Sequence, residues 1–430
     1  MPDSKWSKRI FGAVSLLILL AAANLALGSA LEHVSALTPF VREMDAFERD
    51  GERVDLVFAG ASRTYYTFAP DVFEETLGLS RAVNAGTVSQ TIAGCYYQLL
   101  DLIERFHPKY AVVGVVATTL SGSESNHSDQ LVAEKLSPGT RALFLKEHMR
   151  WPDRILNSFR TYRLRNSLLL LKNSIFHPNA ASVEDASHYA KYRFLHANGS
   201  LENGGVSIEA PLEFDTSEFS PQNCAYLDRI VDLCAENGVR LFLVTAPTTM
   251  ARIYLSDTYQ EATDYFQEYA RAHGLIYHNL NLLRGREDFL PDSSMVDYNH
   301  VNAKGAYTVS ALYAEILQRD ISGEDTSGYF YDSVEELKAS VHRVVALDTD
   351  AVIDGDTLSL HMTSIHSEGV IPQYQVRLAI DGKNFEAATE WSESPDCKID
   401  ISEIRAGSKL QIRARTGDPD DVEASRTYTY

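Results

Sequence analysis

Cysteine is scarce in this chain. Only four of its 430 residues are Cys, at positions 95, 224, 234 and 397, and none has a CxxC partner. No Cys/His cluster has the spacing of zinc ligands. Two cysteines ten residues apart on one helix, as expected for Cys224 and Cys234, would stand roughly 15 Å apart, too far to bridge. These absences argue against a disulfide scaffold and a zinc finger.

Basic residues are also few. The chain has 39 Lys and Arg against 59 Asp and Glu, which gives a formal net charge of −20. Sequence-independent binding to nucleic acid requires cations that neutralise phosphates, so we expect no nucleic-acid partner. Hydrophobic residues at 45% and charged residues at 23% are typical of a folded chain. At about 150 residues per domain, the length predicts two to three domains.

One long uncharged run lies at the N-terminus. Three basic residues within the first nine precede Ile10 to Leu31, whose 22 residues would extend about 33 Å as a helix. Because basic flanks stay in the cytoplasm, we predict that residues 1–35 form a single-pass anchor in the cell membrane, with the bulk of the chain extracytoplasmic. A signal peptide cleaved around Gly28 to Ala30 and a buried helix are the alternatives.

Residues 50–320 alternate between buried strand patterns and amphipathic helices. The candidate strands begin at Val54, Ala82, Tyr110, Val239 and Leu275. Such alternation predicts an α/β fold with a doubly wound parallel sheet covered on both faces. The pattern lapses at about 121–220, where we predict an insertion over the strand ends that contains a helix from Asp153 to Phe176.

Part of this insertion is basic. Residues 146–172 carry seven Lys or Arg against two acids, a local charge of +5 in an acidic chain. The segment is either a solvated helix face or a surface for anionic lipid headgroups or an anionic polymer.

The C-terminal part changes character. A Gly- and acid-rich stretch lies within 321–343, which we predict to be a linker. Residues 344–430 contain runs with period-two alternation separated by turn signals, a pattern that predicts a small antiparallel β-sandwich.

A serine follows the first predicted strand, in Gly60-Ala-Ser62-Arg63. The carboxyl edge of a parallel sheet is the usual ligand crevice, and the next helix would direct its N–H groups toward an oxyanion there. Serine is also a common helix N-cap, so this motif alone leaves both interpretations open.

A second motif, Asp297-Tyr-Asn-His300, lies just before the last predicted helix, for which Asn302 is a suitable N-cap. A serine nucleophile needs an imidazole to accept its proton and a carboxylate to orient that imidazole. Asp and His three residues apart on one loop can present both groups to the same crevice.

Together these motifs resemble the SGNH (GDSL-type) hydrolase superfamily: Gly-x-Ser62, then Asn84-Ala-Gly86, then Asp297-x-x-His300. The resemblance covers about residues 50–320 and is strongest to membrane-anchored branches similar to the D-alanine transfer protein of teichoic acid operons and the alginate O-acetylation proteins. It implies a flavodoxin-like three-layer sheet. It also implies Ser62 as nucleophile, His300 as base and Asp297 as its orienting partner. The N–H groups of Ser62 and Gly86 would belong to the oxyanion hole.

The sequence departs from the family where the third strand ends. The usual Gly-x-Asn-Asp block is absent, so a third oxyanion donor is missing unless Thr118 or Thr119 replaces it. Losing one donor can cost about 2.7–4 kcal/mol of transition-state stabilisation. Arg63 is either a ligand for a carboxylate or phosphate of the substrate or a surface residue. By its place in the second block, Asn84 is also expected to bind substrate.

These observations favour an extracytoplasmic, membrane-tethered esterase or O-acyltransferase that acts on acyl esters of a cell-envelope glycan. Its chemistry requires no metal or organic cofactor. The rival hypothesis is a catalytically weak scaffold that binds glycan or docks a membrane O-acyltransferase. A third is that the fold is α/β but Ser62 and His300 lie too far apart to act together.

Overall fold

The computed structural model describes residues 4–35, 38–121, 126–176, 214–380, 384–416 and 423–429. The helices of these ranges are α1 Ser4–Val34, α2 Thr38–Asp50, α3 Ser62–Thr67, α4 Pro70–Leu77, α5 Ile92–Phe106, α6 Ala117–Ser121, α7 Asn126–Lys135, α8 Pro138–Glu147, α9 Trp151–Ser158, α10 Arg160–Arg163, α11 Leu168–Phe176, α12 Pro221–Glu236, α13 Met250–Leu255, α14 Tyr259–Ala272, α15 Arg286–Phe289, α16 Ala303–Ser322 and α17 Val334–Ser340.

A parallel sheet organises the larger part of the described chain. Its strands are β1 Leu56–Ala59, β2 Ala82–Asn84, β3 Tyr110–Gly114, β4 Arg240–Thr245 and β5 Ile276–Asn279. They lie in the order β2-β1-β3-β4-β5, and each neighbouring pair is parallel. This order is that of a flavodoxin-like doubly wound fold, and the predicted fold class is confirmed.

Helices cover both faces of this sheet. Along β1 the side chains alternate, so that Val57 and Ala59 join one buried apolar cluster while Leu56 and Phe58 join another. Helices α5 and α12 pack on the first face, and α4 and α16 pack on the second. Strands β1 and β3 therefore consist almost wholly of apolar residues, as the sequence pattern indicated.

The segment at 121–220 is only partly described, since residues 177–213 lie outside the described ranges. Helices α7 and α8 and the turn between them extend the main core through Val132, Phe144 and Leu136, respectively. The predicted single helix from Asp153 to Phe176 is wrong. The segment is instead divided into α9, α10 and α11, with Phe159 in an extended conformation between α9 and α10.

The C-terminal part forms two antiparallel sheets around one apolar core, as predicted. Its strands are β6 Val344–Asp354, β7 Thr357–His366, β8 Gln373–Ala379, β9 Glu386–Ala387, β10 Asp396–Asp400, β11 Lys409–Arg415 and β12 Ala424–Thr429. The predicted linker at 321–343 is partly helical. It contains α17, whose Val334 and Leu337 pack with Met250 and Ile253 of α13.

Helix α1 is long and apolar enough over Arg9–Val34 to cross a membrane, and no other helix of the described residues meets that test. Its C-terminal end is attached to the folded part of the chain. Leu31 is fully buried, and the hydroxyl of Ser35 donates to Glu134 over 3.4 Å.

Candidate active site

Ser62 is the first residue of α3, three residues after β1 ends. Ala61 occupies the N-cap position in an extended conformation, so the interpretation of Ser62 as a capping residue is wrong. The turn is tight because Thr64 fills the space beside two glycines. A Cβ atom at Gly60 or Gly114 would overlap the Thr64 hydroxyl. The carboxyl ends of β1 and β3 therefore hold the Ser62 turn closely.

Ser62, His300 and Asp297 form one chain of hydrogen bonds. The Ser62 Oγ lies 2.8 Å from His300 Nε2, and His300 Nδ1 lies 2.8 Å from Asp297 Oδ2. A carboxylate accepts, so Nδ1 carries the proton and Nε2 is left to accept from the serine hydroxyl. The structure thus brings together the three side chains that the sequence singled out, and excludes the hypothesis that they lie in separate places.

Backbone contacts fix the Asp297 carboxylate. Its Oδ1 accepts from the N–H of Asn299 over 2.7 Å and from the N–H of His300 over 3.0 Å. Burial alone would raise the pKa of Asp297, but these bonds and the His300 ring hold its pKa below the usual value. The carboxylate therefore stays ionised and keeps the imidazole oriented.

The loop that carries His300 is tied to its surroundings at both ends. The carbonyl of Tyr298 accepts from the N–H of Thr249 over 3.2 Å, and the N–H of Val296 donates to the carbonyl of His300 over 2.7 Å. Asn302 caps α16, accepting from the N–H of Gly305 over 3.0 Å, as predicted. The loop that carries the imidazole is thus held by the segment after β4 and by the start of α16, which packs on the sheet.

A cavity of about 380 Å³ opens at these groups. Its walls come from the turns after β1, β2, β3 and β4, and include Ser62, Arg63, Ser89, Thr118, Arg252 and His300. The site therefore lies at the carboxyl edge of the sheet, where open α/β folds bind ligands.

Two residues predicted at this cavity lie elsewhere. Asn84 is only 1% exposed, and its amide donates to the carbonyls of Thr64 and Phe68 over 3.0 and 2.8 Å. Its Oδ1 accepts from the N–H of Gly86 over 3.1 Å. The substrate-binding role of Asn84 and the oxyanion role of Gly86 are therefore contradicted by this conformation. Position 86 requires a glycine, because a Cβ atom there would lie only 2.8 Å from the Cβ atom of Tyr65.

Ser89 lines the cavity together with Gln90 and Thr91, the two residues that follow it. It is exposed, and its φ of 53° is in the left-handed region that residues other than glycine rarely adopt. Among the described residues its N–H has no hydrogen-bond acceptor. The N–H of Ser62 is also free of intrahelical partners, because it lies in the first turn of α3. Both residues line the cavity at which the Ser62 hydroxyl lies.

The turn after β3 contributes less. The Thr119 hydroxyl donates to the carbonyl of Val116 over 2.6 Å and accepts from its N–H over 3.3 Å, so it serves its own turn. Thr118 is exposed and lines the cavity. Of the two predicted replacements for the missing Asn, only Thr118 is placed to meet a ligand.

Arg63 and Arg252 bring two positive charges to the same cavity. Arg63 donates to Asn299 Oδ1 over 2.6 Å, and burial together with the nearby charge of Arg252 lowers the pKa of Arg63 to about 10. The Arg252 guanidinium lies over the Tyr298 ring at 5.1 Å and has no ion pair among the described residues. Sequence reasoning missed Arg252, because nothing in its local pattern links α13 to the Ser62 turn.

The two arginines also separate the Ser62 cavity from a second one of about 190 Å³. Aromatic rings line this second cavity, namely Phe214, Phe219, Tyr259, Phe266 and Tyr277. Asp215 and Glu218, both exposed, also line it. Within the described ranges, no group of three or more His, Cys, Asp or Glu is arranged to hold a metal ion.

A scan against protein-family models gives no match for this chain, and a search of the curated proteins gives none. Solved structures do give matches. One is a lipolytic protein of the G-D-S-L family from Desulfitobacterium hafniense, 14% identical, with 61% of this chain and 98% of that chain covered and a TM-score of 0.29.

Two further matches are similar in kind. A GDSL-like lipase from Bacteroides thetaiotaomicron is 13% identical, covering 63% of this chain and 90% of the lipase, with a TM-score of 0.28. A two-domain esterase active on acetylated mannans is 11% identical, covering 91% of this chain and 95% of the esterase, with a TM-score of 0.27.

Proposed function

We propose that this chain is an extracytoplasmic, membrane-tethered serine esterase or O-acyltransferase that acts on acyl esters of a cell-envelope glycan. The observation that carries the proposal is the hydrogen-bonded chain from Ser62 through His300 to Asp297. A hydroxyl whose proton has an oriented acceptor 2.8 Å away is the arrangement that nucleophilic acyl transfer needs.

The reaction proceeds in two halves. The Ser62 Oγ attacks the ester carbonyl carbon while His300 Nε2 takes the hydroxyl proton, and the carbonyl oxygen becomes an oxyanion beside the N–H groups of Ser62 and Ser89. Collapse breaks the bond to the alcohol, which leaves with the proton from His300, and an acyl-serine remains. Water or a sugar hydroxyl then gives its proton to His300 and attacks the acyl group, which regenerates Ser62.

Two observations support a retained anchor. The C-terminal part of α1 is buried against the folded chain at Leu31, and Asn24 accepts from the Thr161 hydroxyl over 2.8 Å. A signal peptide that is removed after export has no need of such contacts. The basic residues before α1 favour an extracytoplasmic location for the rest.

The pair Arg63 and Arg252 favours a substrate with an anionic group. Two guanidinium groups in a partly buried wall lose hydration, and a carboxylate or phosphate would compensate both. The natural polymer is therefore expected to carry acid groups close to the acylated hydroxyl.

The test is labelling with a fluorophosphonate probe, which reacts with activated serines. Wild type should be labelled, while Ser62→Ala and His300→Ala should not, and the exposed Ser322→Ala should match wild type. A folded wild type that resists the probe would contradict the proposal.

A second candidate function is a glycan-binding scaffold that docks a membrane O-acyltransferase. The observation in its favour is the turn after β3, where no Asn is present and Thr119 is bound to its own backbone. Binding of acylated glycan by an unlabelled wild type, with the same affinity in Ser62→Ala, would favour this function.

A further inference from the structure

The helices α9, α10 and α11 expose an unusual amount of apolar surface. Outside α1, the described residues include twelve large apolar side chains that are exposed, and eight of them lie between 151 and 176. These eight form what we call the apolar patch: Trp151, Ile155, Leu156, Phe159, Leu168, Leu169, Ile175 and Phe176. Trp151 is 71% exposed and Phe176 is 69% exposed. So much apolar surface in one segment marks an interaction site.

The segment that carries the patch contacts the membrane-spanning candidate α1 through α10. The N–H and the hydroxyl of Thr161 both donate to Asn24 Oδ1, over 3.1 and 2.8 Å. Arg160 forms an ion pair with Glu32 and donates to the Ser29 hydroxyl over 3.3 Å. The helices approach closely here, since a Cβ atom at Gly28 would lie 2.8 Å from Arg160 Cδ.

The depth of these contacts matches a membrane interface. A hydrocarbon core of about 30 Å takes about 20 residues of helix, which places its outer boundary near Ser29 if it begins at Ile10. Asn24 then lies roughly 8 Å below that boundary, within the 5–10 Å to which interfacial helices sink. The apolar patch therefore lies where the anchor leaves the bilayer.

The charges around the patch fit the same location. Lys146, Arg150 and Lys172 are exposed beside it, in the segment whose net charge is +5. A helix with an apolar face and a cationic border is the pattern of segments that lie in the headgroup region. Anionic lipids would also compensate the local excess of positive charge.

We propose that α9, α10 and α11 lie in the outer interface of the membrane into which α1 inserts, with the apolar patch facing the acyl chains. Lipid thus covers the patch, and the chain contacts the outer leaflet in two places, through α1 and through the patch. This inference uses the retained anchor of the proposed function and is independent of catalysis.

The experiment uses the full chain reconstituted in vesicles of phosphatidylcholine and phosphatidylglycerol. The chain has three Trp, so Trp6→Phe/Trp391→Phe leaves Trp151 as the reporter, and Trp6→Phe/Trp151→Phe leaves Trp391 as its matched control. Lipids brominated near the headgroup end of the acyl chain should quench Trp151 several-fold more than Trp391. Acrylamide in the water should quench Trp391 more.

A second site guards against a misfolded variant. Leu169→Trp in a background with all three native Trp changed to Phe reports on α11, and its fluorescence should be quenched by the brominated lipid as strongly as that of Trp151. Absence of lipid quenching at either site overturns the proposal. So does shielding from both quenchers, which would show that protein, a second copy or a partner, covers the patch. Loss of probe labelling at Ser62 refutes the proposed function and leaves these quenching results unchanged.

Discussion

The two sides of the Ser62 cavity are built differently. On the proton-transfer side, the functional groups are side chains: His300 lies 2.8 Å from the Ser62 hydroxyl and 2.8 Å from the Asp297 carboxylate. On the oxyanion side, the proposed donors are the backbone amides of Ser62 and Ser89, whose positions depend on the turns after β1 and β2, with Ser89 at a φ of 53°. Residue types determine the first side, and backbone conformation determines the second. We therefore expect them to respond differently to substitution.

The largest effect is expected on the proton-transfer side, from Asp297→Asn. This change keeps the shape of the loop but removes the charge that fixes the His300 tautomer, so kcat/KM for a small acetyl ester should fall about 10³–10⁴-fold. Asp297→Glu, which keeps the charge, should recover part of the loss. A loss of less than about tenfold in the Asn variant would show that this carboxylate does not orient the base.

A smaller effect is expected from the oxyanion side, through Ser89. Ser89→Val forces a β-branched residue into the left-handed region, which should shift the N–H and lower kcat about 10²-fold with little change in KM. Ser89→Gly keeps the N–H and removes the strain, so its activity should stay near that of wild type and its stability should rise slightly. Equal activities in the two variants would remove Ser89 from the site.

An effect that depends on the charge of the substrate is expected at Arg63 and Arg252, which both line the Ser62 cavity. Arg63→Gln and Arg252→Gln should each raise KM about tenfold for an acetyl ester of a uronic acid, because a charge-assisted hydrogen bond is lost. The same variants should hydrolyse the acetyl ester of a neutral sugar as wild type does. Equal losses on both esters would mean that the arginines only support the fold.

An effect on stability rather than on activity concerns the support of the oxyanion side. Lys135 is buried and donates to the carbonyls of Ala85 and Gly86, over 3.2 and 2.6 Å, and burial lowers its pKa to about 7. The unfolded chain keeps the ordinary Lys pKa of about 10.4, so between these values the unfolded state binds the extra proton. The free energy of unfolding should therefore rise with pH from about 7 to 10.

Urea unfolding of the detergent-solubilised chain at several pH values measures this rise. Lys135→Met should remove most of it, while Lys109→Met, which changes an exposed lysine, should leave it in place. An unchanged rise in Lys135→Met would assign it to other groups.

The same contrast explains what could be predicted from sequence. The sheet and the positions of Ser62, Asp297 and His300 follow from apolar runs and from residue types with few alternatives. The predicted roles of Asn84 and Gly86 were wrong because packing against Tyr65 and Phe68 decides which way these two residues face, and the local sequence does not show that packing. Ser89 carries no sequence signal, since serine does not favour a positive φ. The prediction of a single helix at 153–176 was wrong because the hydrophobic periodicity gives no sign of the break at Phe159.

Thr64 has a consequence for how this protein can change over evolutionary time. It occupies the volume that side chains at Gly60 and Gly114 would need, so these three positions behave as one unit. A relative that acquires alanine at Gly114 must replace the threonine by something smaller in the same lineage, whereas Gly60 is restricted by its φ of 159° as well. Joint variation at 64 and 114 is therefore the mark that descent should have left on this turn.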